Sequence, residues 1–324
     1  MLNRRTVLTS ALAATALGAL RRNVLAQPAR PFKLFDCHAH FYTNERDKYP
    51  FDARTARYGP ERMIAKAMAN PMTPEVVFKF WEEAGIELGL GVQYSSTYYT
   101  DNSYLLDIAA QHPDRIIPIV ILDAVDPATP ATLERMAREN RIAGVRFMGS
   151  ANQEGVFPYL SAAAEGAWAL ANELGLSITL MPLGRHAGAA LQRVKELAER
   201  YPNVPVVLDH IGFPQYSARP ESFGFTQDHL ALAEAENIYY KYTTFLIEML
   251  LADETPLSEF LAFTVEAFGA DHMIWGSDIG NSEVDDLLFV QHALDSAADL
   301  ALEQQKAIFY DTAKRIFVPG GRRS

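Results

Sequence analysis

From residue 33 onward the chain alternates two textures. Short apolar runs rich in β-branched residues, such as Ile116-Ile117-Pro118-Ile119-Val120-Ile121-Leu122, give way to longer stretches in which apolar residues recur every three or four positions. The first texture suits strands buried on both faces of a parallel sheet, and the second suits amphipathic helices that cover such a sheet. The runs predict strands near 33–37, 88–93, 116–122, 142–147, 176–181, 204–209, 237–242 and 272–276. The periodic stretches predict helices at 74–84, 102–112, 129–140, 159–174, 187–200, 226–236 and 256–268, followed by 283–296, 301–309 and 311–317. Punctuation supports these limits: Thr73-Pro74 opens one helix, His112-Pro113 stops a second, and Gly175 and Gly269 close two more. Eight strand–helix units in this rhythm predict an α/β fold, a (β/α)8 TIM barrel, as one domain over 31–324. No Pro-, Gly- or Ser-rich linker divides it. The longest irregular piece, Phe41 to Thr73, directly follows the first strand and reads as a lid holding Tyr42, Tyr49, Arg54, Arg57, Tyr58 and Arg62, with Met63, Met68 and Met72 as apolar filler. A second such loop runs from Phe213 to Phe225.

The first thirty residues stand apart from this rhythm. Asn3-Arg4-Arg5-Thr6-Val7-Leu8 precedes an apolar stretch that ends near Ala26, the order of a twin-arginine-type export signal, so residues 1–30 are expected to direct the protein to the periplasm or outside the cell. The formal net charge is -11, and cleavage after Ala26 would remove Arg4, Arg5, Arg21 and Arg22 without removing an acid. Such an acidic surface argues against nucleic acid and anionic membranes as partners of the mature protein. Cys37 is the only cysteine, which excludes an intrachain disulfide. A Ser-His-Asp hydrolase of the nucleophile-elbow type lacks its Gly-X-Ser-X-Gly here, and no phosphate loop or dinucleotide fingerprint follows the first strand. The oligomeric state stays open, a homo-oligomer included.

Chemistry gathers at the strand ends. His38 and His40 are alternate residues of Phe35-Asp36-Cys37-His38-Ala39-His40 and so share a face; Asp209-His210 ends the sixth run, and Asp278 ends the eighth. His, His and Asp at one end of three separate strands point to a metal or proton-transfer site at the barrel mouth. Arg146 ends the fourth strand, where its planar fork suits a carboxylate or a developing oxyanion, or a salt bridge to a neighbouring loop. Lys241 on the seventh strand has the same two readings, and Arg185 offers either a further cationic contact or a solvated helix start. Tyr94, Tyr98 and Tyr99 after the second strand suit an aromatic wall or simple loop packing.

These segments, with Asn102-Ser103-Tyr104, His112-Pro113-Asp114-Arg115, Gly144-Val145-Arg146, Asp209-His210-Ile211-Gly212, Trp275-Gly276-Ser277-Asp278 and Ala313-Lys314-Arg315-Ile316-Phe317, together resemble the amidohydrolase superfamily. Within it, the chain is most similar to the amidohydrolase-related group of lactonases and decarboxylases. The resemblance implies that His38, His40 and Asp278 hold a divalent metal, zinc or manganese, where one is bound. It also implies that Asp278 takes a proton from the attacking water and His210 polarises the substrate. The fifth strand departs from the metal-dependent pattern, because Ser177-Ile178-Thr179-Leu180-Met181-Pro182 ends without a ligand and His186 falls five residues beyond Met181. That gap resembles the branch containing 2-pyrone-4,6-dicarboxylate lactonase, which the resemblance implies works without a metal, so metal-bound and metal-free chemistry both stand. The expectation is a hydrolase that opens a lactone of an organic or sugar acid, with an anionic lactone or carboxylate as its small-molecule partner. The alternatives are a metal-dependent decarboxylase and a non-catalytic periplasmic binding barrel.

Overall fold

The computed structural model describes residues 30–318 apart from Arg185. The export-signal reading, on residues 1–29, and the mouth position expected for Arg185 therefore lie outside the described residues. Among the described residues no helix is long and apolar enough to cross a membrane.

Eight parallel strands follow one another around the sheet in chain order. They are β1 Leu34–Ala39, β2 Ile86–Val92, β3 Ile116–Leu122, β4 Gly144–Phe147, β5 Ser177–Leu180, β6 Val206–Leu208, β7 Ile238–Thr243 and β8 Met273–Gly276. Every predicted strand is present, and the (β/α)8 barrel is the fold. Phe35, Cys37, Leu90, Ile119, Val207 and Ile274 come from strands on opposite sides of the sheet and pack together as a plug inside it, capped by Ala313, Ile316 and Phe317 of the last helix. A larger apolar layer joins the outer faces of the strands to the helices. Burying this much apolar surface at ~25 cal/mol per Å2 is what holds the barrel closed against chain entropy.

Closure between β1 and β8 uses fewer ladder bonds and one carboxylate. Ala39 bridges Ile279, and His40 donates its backbone N–H to the Ile279 carbonyl at 3.1 Å. Beneath them Asp36 accepts from the Ser277 backbone N–H at 2.8 Å, the Ser277 hydroxyl at 2.5 Å, the His38 N–H at 2.9 Å and the Trp81 indole at 3.0 Å. Gly276 permits the close approach, since a Cβ there would lie 2.6 Å from His38 Cβ. A register shift between Asp36 and Ala39 turns β1 partway along, so Cys37 joins the interior plug while His38 reaches the mouth.

Among the described residues, two helices of nine or more residues and a single turn at Ser95–Tyr98 were not expected from the sequence. The 41–73 connection is not wholly irregular, because Pro60–Ala69 forms a helix that buries Met63 and Ala67, with Pro60 supplying the pre-set φ of its first turn. Thr244–Ala252 is helical immediately after β7, with Thr243 ending the strand and accepting the Leu246 N–H as cap. The 213–225 loop contains short turns at Tyr216–Ala218 and Pro220–Ser222.

Candidate active site

The C-terminal ends of the strands enclose a cavity of about 440 Å3. His38, His40, His210, Asp278, Arg146 and Tyr94, all expected at the mouth, line it. Backbone geometry aims several of them. Asp278, His210, Ile211 and Phe213 all hold positive φ, between 54° and 58°, a region that non-glycine residues enter at a cost of ~1–3 kcal/mol. Three of these, Asp278, His210 and Phe213, line the cavity, and their conformation indicates that the surrounding fold holds these loops in place.

His40 donates from Nδ1 to the Val92 carbonyl at 2.9 Å, because a carbonyl can only accept. Its Nε2 lies 3.3 Å from Asp278 Oδ1. His38 Nε2 lies 3.6 Å from the same oxygen. Neither His38 Nε2 nor Asp278 Oδ1 has a hydrogen-bond partner among the described residues, although both residues are buried. Buried polar atoms left in this state are costly unless something completes them. Donor atoms of His38, His40 and Asp278 lie within 4.8 Å of one another, so the three fit a divalent cation by both spacing and donor type. Burial would raise the Asp278 carboxyl, but the imidazoles of His38, His40 and His210 outweigh it and hold it well below the ordinary carboxylate range.

His210 places Nδ1 2.6 Å from the Thr243 hydroxyl. Its ring stacks at 5.7 Å on His38 and meets Phe245 edge-on at 5.1 Å. Burial is the main cause that brings His210 down to about 4 and His38 to about 3, so both imidazoles are neutral at neutral pH.

Below the cavity floor lies an ionic group that the strand pattern did not reveal. Asp209 is fully buried and receives Arg146 Nε at 2.8 Å and Lys241 Nζ at 2.8 Å. Burial disfavours its charge, yet Lys241 and Arg146 more than compensate and hold its carboxyl well below the usual range. Lys241 also approaches His38 Nδ1 at 3.4 Å and is not part of the cavity lining. Both Arg146 and Lys241 thus make a salt bridge, to the shared Asp209 inside the barrel where a neighbouring loop was expected, while Arg146 still lines the cavity.

Asn281 was also missed. It donates to Asp278 Oδ2 at 3.0 Å and accepts from the Tyr94 hydroxyl at 3.1 Å, tying the β8 loop to the β2 loop. No spacing signal announces it, although its place three residues after Asp278 keeps it on the same loop. Tyr94 stacks over His40 at 4.4 Å, whereas the Tyr98 hydroxyl accepts the Thr43 N–H at 3.0 Å and Tyr99 packs on Arg54. Of the three tyrosines only Tyr94 lines the cavity. His186 is the cap residue before helix Ala187–Arg200 and belongs to neither the lining nor the three-residue cation group. From the 41–73 connection, Thr55 and Arg57 reach the mouth.

An amidohydrolase family model matches residues 35–318. The chain belongs to the amidohydrolase family. Solved structures share the architecture at low identity. A Pseudomonas putida protein assigned provisionally as a 2-pyrone-4,6-dicarboxylic acid hydrolase is 23% identical over 90% of this chain and 99% of that one, with a TM-score of 0.67. A Burkholderia multivorans amidohydrolase with bound zinc is 16% identical over 88% and 99%, TM-score 0.67. A dihydroxybenzoic acid decarboxylase from a Polaromonas species, with bound manganese and the inhibitor 2-nitroresorcinol, is 16% identical over 90% and 98%, TM-score 0.63. Membership in the amidohydrolase family makes the chain one of a group of hydrolases and lyases, and the choice between those reactions falls to the residues of the cavity.

Proposed function

We propose that this amidohydrolase is a hydrolase that opens a cyclic ester. The observation that carries the reading is the Asp278 carboxylate, which leaves one oxygen uncommitted at the cavity floor, while no residue of β5 lines the cavity and the segment directly after it contributes only Met181 and Leu183. The decarboxylases that the sequence resembles keep a histidine on that strand to complete their metal shell.

In this mechanism Asp278 Oδ1 accepts the proton of the water that attacks the lactone carbonyl, and Asn281 fixes the other carboxylate oxygen so that Oδ1 faces the cavity. The mechanism uses the tautomer in which the Thr243 hydroxyl, which also accepts the Leu246 N–H, donates its proton to His210 Nδ1. That choice of tautomer leaves Nε2–H of a neutral His210 free to donate to the carbonyl oxygen. Arg146, anchored through Nε, presents its remaining guanidinium edge to the developing oxyanion. The proton held by Asp278 then passes to the departing alkoxide, giving one hydroxy acid. A divalent cation held by His38, His40 and Asp278 would supply Lewis-acid polarisation and a more acidic water.

Decarboxylation is the second reading, favoured by the apolar character of much of the cavity wall. A panel of lactones and of aromatic hydroxy acids, followed by titration of released acid and by carbon dioxide evolution, separates the two. The proposal expects acid release from a lactone with no carbon dioxide. Carbon dioxide from an aromatic acid, with every lactone inert, would replace it with the lyase reading.

A further inference from the structure

Arg57 is the cation of the cavity lining that has no anionic partner among the described residues. The other lining cation, Arg146, is committed to Asp209, as is Lys241 beneath it. Arg57 instead lies over the Phe245 ring at 4.8 Å and the Tyr58 ring at 5.2 Å. Glu248 and Glu283 share an outer groove with it, but Glu283 is paired with Arg62 and Glu248 accepts the Ser282 hydroxyl. Phe245 also touches His210, so the Arg57 shelf is continuous with the reacting end of the cavity. The wall between them is apolar, formed by Tyr94, Met148, Met181, Phe213, Phe245 and Met249.

We propose that Arg57 selects substrates by a single carboxylate at the mouth, and that the rest of the substrate is an apolar, ring-sized body lying on the Met and Phe wall. This deepens the hydrolase reading and rests on the same cavity being the substrate site. A guanidinium held on aromatic faces keeps its N–H fork free for a carboxylate, and the apolar wall offers a second negative charge no cationic partner. Arg146 and any cation at His38, His40 and Asp278 act on the reacting carbonyl instead. A dicarboxylate would leave one charge desolvated against thioethers and rings, at a cost in affinity.

Benzoate, benzamide and isophthalate share one ring and differ in charge, so their binding to the purified protein, measured by calorimetry, tests this without any turnover. Benzoate should bind about tenfold more tightly than benzamide, isophthalate should gain nothing over benzoate, and Arg57→Gln should erase the benzoate preference. Arg57→Lys should keep part of it, because the charge remains while the fork is lost. Tighter binding of isophthalate, or an Arg57→Gln variant that retains the benzoate preference, overturns the proposal. If no lactone is opened while the Arg57-dependent preference holds, the hydrolase reading fails and the specificity stands. If lactone monocarboxylates are opened with the same kcat/KM by Arg57→Gln as by the parent, the specificity fails and the hydrolase reading stands.

Discussion

Asp36 and Asp278 meet at one seam of the barrel, both wholly buried, and they differ in how completely their oxygens are satisfied. Asp36 accepts from Ser277 twice, from His38 and from Trp81, and joins β1 to β8 and to the helix layer. Asp278 sits above it at the mouth on a left-handed backbone, with Oδ2 held by Asn281 and Oδ1, 3.6 and 3.3 Å from the Nε2 atoms of His38 and His40, without a hydrogen-bond partner among the described residues. Burial and charge alone would make the two equivalent. Hydrogen-bond completeness separates them: the finished carboxylate closes the fold, and the unfinished one is available for chemistry.

The sharpest way to break the comparison uses a third buried acid, Asp209, whose two oxygens each meet a cation at 2.8 Å, Oδ2 the Arg146 Nε and Oδ1 the Lys241 Nζ. Asp209→Asn should leave Arg146 and Lys241 buried without their counter-ion and cost about 3–5 kcal/mol in chemical denaturation. A loss under 1 kcal/mol would show that the ionic group is not structural. Asp36→Asn should cost somewhat less, about 2–3 kcal/mol, because the amide still accepts on one side but presents a donor to the Ser277 hydroxyl or the Trp81 indole on the other. A stability equal to the parent's would remove Asp36 from the closure.

A smaller effect comes from pH. Burial brings His210 to about 4 and His38 to about 3 in the fold, against about 6.5 in the unfolded chain. Between those values the unfolded chain binds more protons, so stability rises with pH through that window and is lost as pH falls from 6.5 toward 4. The contribution of His210 is on the order of 2 kcal/mol. The melting temperature should therefore drop between pH 7 and pH 4.5, and His210→Asn should lessen the drop. A melting temperature that rises on acidification, or a drop unchanged by that substitution, would contradict the neutral buried imidazole.

The eight strands were legible because strands buried on both faces are mostly apolar, with polar residues such as Asp36, His38, Arg146 and Lys241 as exceptions, and little else in a chain of this kind reads that way. Helix Thr244–Ala252 escaped notice for the opposite reason. It is apolar nearly all round, with Leu246, Ile247 and Leu250 buried and Met249 and Leu251 exposed, and no break separates it from β7. Helix Pro60–Ala69 buries only Met63 and Ala67, too few positions to declare a face, although Gly59-Pro60 marked its start. In the site, period-two alternation brought His38 and His40 together correctly. Carried one step back along β1 it would place Asp36 inside as well, and the register shift after Asp36 prevents that. Pairings such as Asp209 with Arg146 and Lys241 join β4, β6 and β7, and no one-dimensional pattern records which side chains meet across a barrel.

The central claim concerns Asp278, and one variant tests it on both counts. In Asp278→Asn the amide can keep its oxygen toward Asn281 while its NH2 replaces the Oδ1 that has no hydrogen-bond partner, 3.3 Å from His40 Nε2, and the buried charge is removed. The measurement is lactone opening by acid release, with thermal melting of the same preparation. The account predicts a loss of roughly a hundredfold or more in kcat, with a melting temperature no lower than the parent's. Near-native turnover by the folded variant would contradict it.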